Sequence, residues 1–168
     1  MNEIDVRDLL GHPGSSRAVQ VQDPVPELRI ELAAVPEETP VEGRFLLESV
    51  VEGVLVSGTV AGRMALSCAR CLRPFESGFE VEVRELFSAD APPGGEEYPL
   101  QPEGAIDVEP MVRDAVMLAL PYSPLCRPDC LGLCDRCGGD RNAGECTCSP
   151  EAVDPRWAAL DRLLDQFN

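Results

Sequence analysis

The sequence predicts an α+β fold: a curved antiparallel sheet, barrel-like if it closes, carrying two helices and a cysteine-rich zinc module. Three observations predict it. Val54, Val56, Gly58, Val60, Gly62, Met64 and Leu66 fall on one face of a stretch whose other face carries Ser57, Thr59 and Arg63, a period of two that marks a long strand. Two later segments repeat apolar residues at helical spacing behind capping residues. Eight cysteines fall into four close pairs, three of them between Cys126 and Cys148.

Taken in order, "EIDVRDLL" is a short strand or one helical turn, broken by "GHPGSS". "ELRIELAAV", Glu27 to Val35, alternates as a strand, and "PEETP" turns the chain. "VEGRFLLESV" and "GVLVSGTVAGRMAL" are two strands joined near Glu52 and Gly53, the glycines of the second fitting a bent strand. Beyond Cys68 and Cys71, Phe79, Val81 and Val83 alternate with Glu80, Glu82 and Arg84. The first cysteine pair therefore lies in the turn between two long strands, where a C-x-x-C can bend both sulfurs toward one point.

Ser88 to Gly104 is rich in proline, glycine and acid, and predicts a mobile loop inserted over residues 88–106. From Asp107 to Pro121 a helix is expected, with Asp107 as N-cap, Pro121 as stop, and Met111, Ala115, Leu118 and Ala119 as its apolar face. A second helix is expected from Asp154, with Pro155 at its first position and Trp157, Leu160, Leu163, Leu164 and Phe167 on one side. The chain thus divides into a β-rich core with the first helix, residues 1–121, and a zinc module with the C-terminal helix, residues 122–168.

The pairs are Cys68 and Cys71, Cys126 and Cys130, Cys134 and Cys137, Cys146 and Cys148. Eight thiols make two four-cysteine sites, for which tetrahedral structural zinc is the default. Of the three ways to match four pairs, the preferred one closes the shortest loop, Cys134/Cys137/Cys146/Cys148, and leaves Cys68/Cys71 to meet Cys126/Cys130. That second set pins the strand turn to the end of the first helix. An iron–sulfur cluster is compatible with the same four thiolates. Redox chemistry lacks the βαβ pattern that usually surrounds it, and a disulfide framework would need an export signal that "MNEIDVRDLL" does not provide.

A cytoplasmic protein without a membrane segment is expected, since the longest apolar run, near "AVMLAL", is too short to span a bilayer. No enzyme is expected either. The single histidine, His12, sits in a "GHPG" loop, and no phosphate-binding glycine motif occurs. Thirty acids against fourteen arginines, with no lysine, give a net charge of −16, which suits a basic partner. Only Val60 to Phe75 departs from this, with three arginines and no acid around the first cysteine pair.

"MALSCARCLRPFESGFEVEVRELF" resembles the central motif of the YceD-like family of bacterial and plastid proteins, and "DVEPMVRDAVMLALPYSPLC" its second block. "CLGLCDRCGGDRNAGECTC" followed by "DPRWAAL" resembles the cysteine-rich branch. "GGDRN" departs from the Gly-x-Asn-Leu-Asn expected there, keeping Gly138 and Asn142 but not the first asparagine. The resemblance implies a non-enzymatic factor in synthesis, processing or stability of large-subunit (23S) ribosomal RNA, or in large-subunit assembly, acting on that RNA or on a pre-ribosomal particle. Arg63, Arg70 and Arg73 near one knuckle, and Arg127, Arg136 and Arg141 near the other, are then the candidate phosphate contacts. The rival reading is an acidic protein-binding module or chaperone for a basic ribosomal protein.

Overall fold

The computed structural model describes residues 3–92, 95 and 97–148. The expected helix from Asp154 lies outside the described residues. Strand β1 (Ile4–Asp5) is followed by β2 (Ser16–Pro24), β3 (Ala33–Ala34), β4 (Pro40–Ser49), β5 (Gly53–Ser67), β6 (Pro74–Ser88), β7 (Tyr98–Pro99), β8 (Ala105–Ile106) and helix α1 (Glu109–Ala119).

The main sheet runs β2-β4-β5-β6-β7, with β3 sharing the edge of β5 beyond the end of β4. It is an open sheet and not a barrel, because its outer strands β2 and β7 do not pair with each other. All its pairings are antiparallel except that of β6 with β7. The sheet is built on β5 and β6, two fifteen-residue strands in unbroken register from Gly53↔Ser88 to Ser67↔Pro74. As the alternation predicts, Val54, Val56, Val60, Met64 and Leu66 are buried. They belong to the core against which α1 packs through Met111, Val112 and Val116, the helix lying chiefly on β6. Full burial of each contributes roughly 1.5–3 kcal/mol.

Three local expectations are corrected. Glu27–Val35 is not one continuous strand but a tight reversal that ends in the two-residue β3: Ile30 donates to the Ala33 carbonyl (2.8 Å) and Val35 to the Leu28 carbonyl (2.8 Å), with Glu27 at φ 61°. Alternation there comes from a chain folded back on itself. The strand that sequence reading passed over is β2, whose half-buried Arg17, Val19, Val21 and Asp23 alternate with exposed Ala18, Gln20 and Gln22. Leu118 is 87% exposed and does not belong to the buried face of α1. Asp107 caps from one residue further out than expected, its Oδ1 accepting the Glu109 N–H at 3.0 Å while Val108 takes the cap position.

The segment 88–106 contains two strands. Tyr98 stacks on Phe87 (centroids 5.3 Å apart) and its hydroxyl donates to Asp114 Oδ2 at 2.8 Å, tying β7 to α1. The segment ends in β8, which pairs with β1. Among the described residues no helix is long and apolar enough to cross a membrane.

Gly58 lies mid-β5 at φ +157°, opposite Phe45 of β4, and a Cβ there would stand 2.0 Å from the Arg44 carbonyl oxygen. Only glycine lets the two backbones approach so closely. Gly58→Val is expected to cost roughly 3 kcal/mol or more, read as a lower urea midpoint; an unchanged midpoint would refute this register.

Candidate metal centres

The β5–β6 turn carries Cys68 and Cys71, and the chain leaving α1 brings Cys126 and Cys130 to it. Leu120 is extended (φ −64°, ψ 123°) ahead of Pro121, as a residue before proline must be, and this ends the helix. Ala69 N–H then donates to the Pro124 carbonyl (2.8 Å), and Arg70 Nη1 to the Cys130 carbonyl (2.8 Å), fastening the exit segment onto the turn. The four sulfurs of Cys68, Cys71, Cys126 and Cys130 lie within 4.8 Å of one another, and so do those of Cys134, Cys137, Cys146 and Cys148. These are the two sets that the loop-closure argument prefers.

Cys68 Sγ is 3.8 Å from Cys130 Sγ, and Cys71 Sγ is 3.7 Å from Cys126 Sγ. Sulfurs about 2.3 Å from one tetrahedral ion stand ~3.8 Å apart, whereas a disulfide would hold them at about 2.0 Å. Both tetrads are therefore close enough to bind a metal ion, and the donor set suits one that takes four thiolates. Four protein donors also leave no coordination position for a substrate.

The two C-x-x-C turns are copies of one knuckle. In the first, Cys68 N–H donates to the Arg73 carbonyl (3.0 Å) and Leu72 N–H to the Cys68 carbonyl (2.9 Å), with Leu72 at φ 59°. In the second, Cys134 N–H donates to the Gly139 carbonyl (2.9 Å) and Gly138 N–H to the Cys134 carbonyl (2.8 Å), with Gly138 at φ 71°. A left-handed residue must follow the second cysteine so that backbone N–H groups turn toward sulfur. Glycine fills that place in one knuckle and a strained leucine, 60% exposed, in the other.

Those N–H groups set the thiol chemistry. Backbone N–H groups of Cys126, Cys71 and Arg70 bring Cys68 down to about 6, and those of Cys137 and Arg136 bring Cys134 down to about 6. Burial, then the crowding of Cys71 and Cys68, pushes Cys126 up to about 12; the neighbouring thiols of Cys137, Cys134 and Cys146 push Cys148 up to about 12. Four thiols this close cannot all ionise without a cation among them, so metal uptake must displace protons.

The tetrads differ in setting. Cys68, Cys71 and Cys130 are buried in an apolar cluster with Phe75, Leu125 and Leu133, while Cys137 and Cys148 are exposed. The six candidate phosphate contacts are all exposed, but at least five, Arg136 among them, are engaged within the molecule. Arg63 pairs with Glu76 (2.9 Å), Arg73 with Asp140 (3.0 Å), Arg127 with Asp129 (3.4 Å), and Arg70 holds Cys130. Arg136 and Arg141 lie at the surface of the second loop, the latter's backbone N–H on the Gly132 carbonyl (3.0 Å). Sequence reading missed Asp140 and Asn142 as supporting groups. The surviving asparagine of "GGDRN" was the available signal, but only the fold shows what it touches.

A family model described as large ribosomal RNA subunit accumulation protein YceD matches residues 56–164. A protein of Mycobacterium tuberculosis is 38% identical over 96% of this chain and 80% of its own length. Bacillus subtilis YlbN is 30% identical over 75% of this chain and 74% of its own. The maize large ribosomal RNA subunit accumulation protein YCED homolog 1, chloroplastic, is 25% identical over 66% of this chain and 46% of its own. No solved structure matches the chain.

Two outcomes are expected of these centres. Chelator titration of the metal-loaded protein should empty the exposed Cys134 tetrad before the buried Cys68 tetrad, with affinity falling as pH drops because protons return to the thiols; single-phase release would contradict the difference in burial. Leu72→Gly should stabilise and Gly138→Leu destabilise, each by about 1 kcal/mol, since nothing within 4 Å crowds a Cβ at Gly138. Denaturant midpoints moving the same way for both would show that the knuckles are not equivalent.

Proposed function

We propose, from the premise that this chain belongs to the YceD family of large ribosomal RNA subunit accumulation proteins, that it is a non-enzymatic factor promoting accumulation of large-subunit ribosomal RNA on a pre-ribosomal particle. The observation that carries the reading is the extent of the family match. Residues 56–164 take in β6, α1, nearly all of β5 and both tetrads. The shared region is thus the cysteine-clamped hairpin and helix, with no catalytic constellation of its own among the described residues.

The ions we assign to the tetrads are zinc. All-thiolate sets of four with this spacing are met by tetrahedral zinc, which needs no redox change and leaves no open position. When bound, zinc supplies a fixed crosslink and nothing reactive. Cys68, Cys71, Cys126 and Cys130 would hold the β5–β6 turn to the exit of α1, and Cys134, Cys137, Cys146 and Cys148 would close the loop behind it.

How the factor meets the particle follows from charge. At least five of six arginines near the cysteines are engaged internally, and the net charge is −16. Along β6, Glu80 and Glu82 stand exposed at alternate positions, with Glu76 beyond them paired to Arg63, and Arg84 following on the same face. These observations favour the second reading, in which the acidic sheet docks a basic ribosomal protein, over direct phosphate contact.

Cells lacking the chain should show a reduced ratio of large- to small-subunit ribosomal RNA; an unchanged ratio would overturn the function. For the mode of contact, Glu80→Lys with Glu82→Lys should release the protein from ribosomal particles in gradients, whereas Arg136→Glu with Arg141→Glu should not. The reverse pattern, joined by ultraviolet crosslinks to large-subunit ribosomal RNA, would make the contact RNA-led.

A further inference from the structure

We propose that Asn142 is a positioning residue through which the second tetrad governs the metal affinity of the first; this rests on the reading of both tetrads as metal centres. Asn142 sits in the loop between Cys137 and Cys146, yet its side chain reaches out of that loop to the other site. Nδ2 lies 3.5 Å from Cys130 Sγ and 2.7 Å from Asp140 Oδ1. Oδ1 accepts the Leu131 N–H at 2.8 Å and Arg127 Nη2 at 2.7 Å.

The amide orientation is over-determined. Both groups beside Oδ1 are donors without acceptor capacity, and both beside Nδ2 are acceptors, so a flipped amide would lose four contacts. An N–H therefore points at the Cys130 sulfur. A hydrogen bond to the charged form favours it, and a tetrathiolate centre carries excess negative charge that such a donor offsets.

The donor is delivered by the second loop, which is docked onto the first knuckle at several points. Leu133 N–H donates to the Arg70 carbonyl (3.0 Å), and Leu133 bridges Asp140 as in a ladder. Asp140 accepts the Asn142 N–H (2.8 Å) and pairs with Arg73 at 3.0 Å, its side chain only 17% exposed. Gly132, at φ +74°, brings its backbone against Arg70, where a Cβ would stand 3.0 Å from the Arg70 oxygen. The loop's own ends are held by Cys134/Cys137 at one side and Cys146/Cys148 at the other. Metal at the second tetrad closes that loop and so fixes Asn142 against Cys130. The centres are a coupled pair, metal at the exposed one raising the affinity of the buried one.

The probe is 113Cd, loaded at two equivalents into the full-length protein. Two cadmium resonances are expected, and Cys146→Ser with Cys148→Ser should remove one, assigning the other to the first tetrad. In Asn142→Ala both resonances should persist while the first-tetrad resonance alone shifts. Chelator competition should then show first-tetrad affinity about 10–100-fold lower when the second is loaded, and second-tetrad affinity lower by the same factor when the first is loaded, since the coupling is reciprocal. Asn142→Asp keeps the acceptor for Leu131 and Arg127 but sets a carboxylate against the sulfur, and should lose at least as much. Cys146→Ser with Cys148→Ser should weaken the first tetrad by a similar factor, with Asn142→Ala adding nothing further to it. First-tetrad affinity that is unchanged in Asn142→Ala, or losses that multiply independently, would overturn the coupling while leaving the metal centres standing. A wild-type protein that binds no cadmium would overturn the metal reading itself, and the coupling with it.

Discussion

The constraint on which the rest of the molecule depends is the gathering of four sulfurs at the end of the β5–β6 hairpin. A fifteen-residue antiparallel pair is long, and its turn is far from the helix-covered core that steadies its other end. Cys68, Cys71, Cys126 and Cys130 join that distant turn to the chain leaving α1. The hairpin is thereby held at both ends, by apolar packing beneath α1 and by sulfur at the turn. Thiols at 3.7–3.8 Å make weak mutual hydrogen bonds and repel once ionised. A cation among them turns that repulsion into a crosslink, and the cost of ordering the exit segment is then met by ligand binding.

The two knuckles share one backbone design but stand in different surroundings, and the difference has consequences for order. Around the first, Phe75, Leu125 and Leu133 exclude water, so charge on sulfur is costly and every N–H donor counts. Around the second, water reaches Cys137 and Cys148 directly. The first knuckle tolerates a leucine in the left-handed region because the strands on either side over-determine its geometry. The second lies in a loop with little secondary structure, where Gly138 adopts the same angle without strain. A buried site locked into a sheet and an exposed site on a loop are thus complementary, one setting the frame and the other closing over it.

Much of this was legible in the residues, for identifiable reasons. Strand β5 could be read because Val54, Val56, Val60, Met64 and Leu66 of one face are buried in the core, so the alternation extends along the strand. The cysteine grouping could be read because loop-closure entropy ranks the three matchings before any coordinate is known. Strand β2 escaped because it is an edge strand with only half-buried residues on its inner face, and Val19 and Val21 alone carry the pattern. Glu27–Val35 misled because a chain that doubles back also alternates its inward residues. Leu118 misled because helical spacing identifies a stripe, while which side of a short helix meets the sheet is decided by the packing of Val112 and Val116.

The support around the first tetrad was the least legible part, since it runs between residues far apart in sequence. Arg73 meets Asp140 across sixty-seven positions and Arg70 meets Cys130 across sixty. These contacts also bear on the charge of the molecule. An arginine bound to Asp140 beside a sulfur cluster offsets negative charge locally and is only partly available to a phosphate. The same side chain cannot fully serve both purposes, and in this fold it serves the cluster. Of the basic strip read in the sequence from Val60 to Phe75, Arg70 and Arg73 are engaged around the first tetrad and Arg63 pairs with Glu76, while Glu80 and Glu82 stand exposed on β6. In the proposed reading, recognition then falls to those acids, because a side chain already paired within the fold has less charge left to offer a partner.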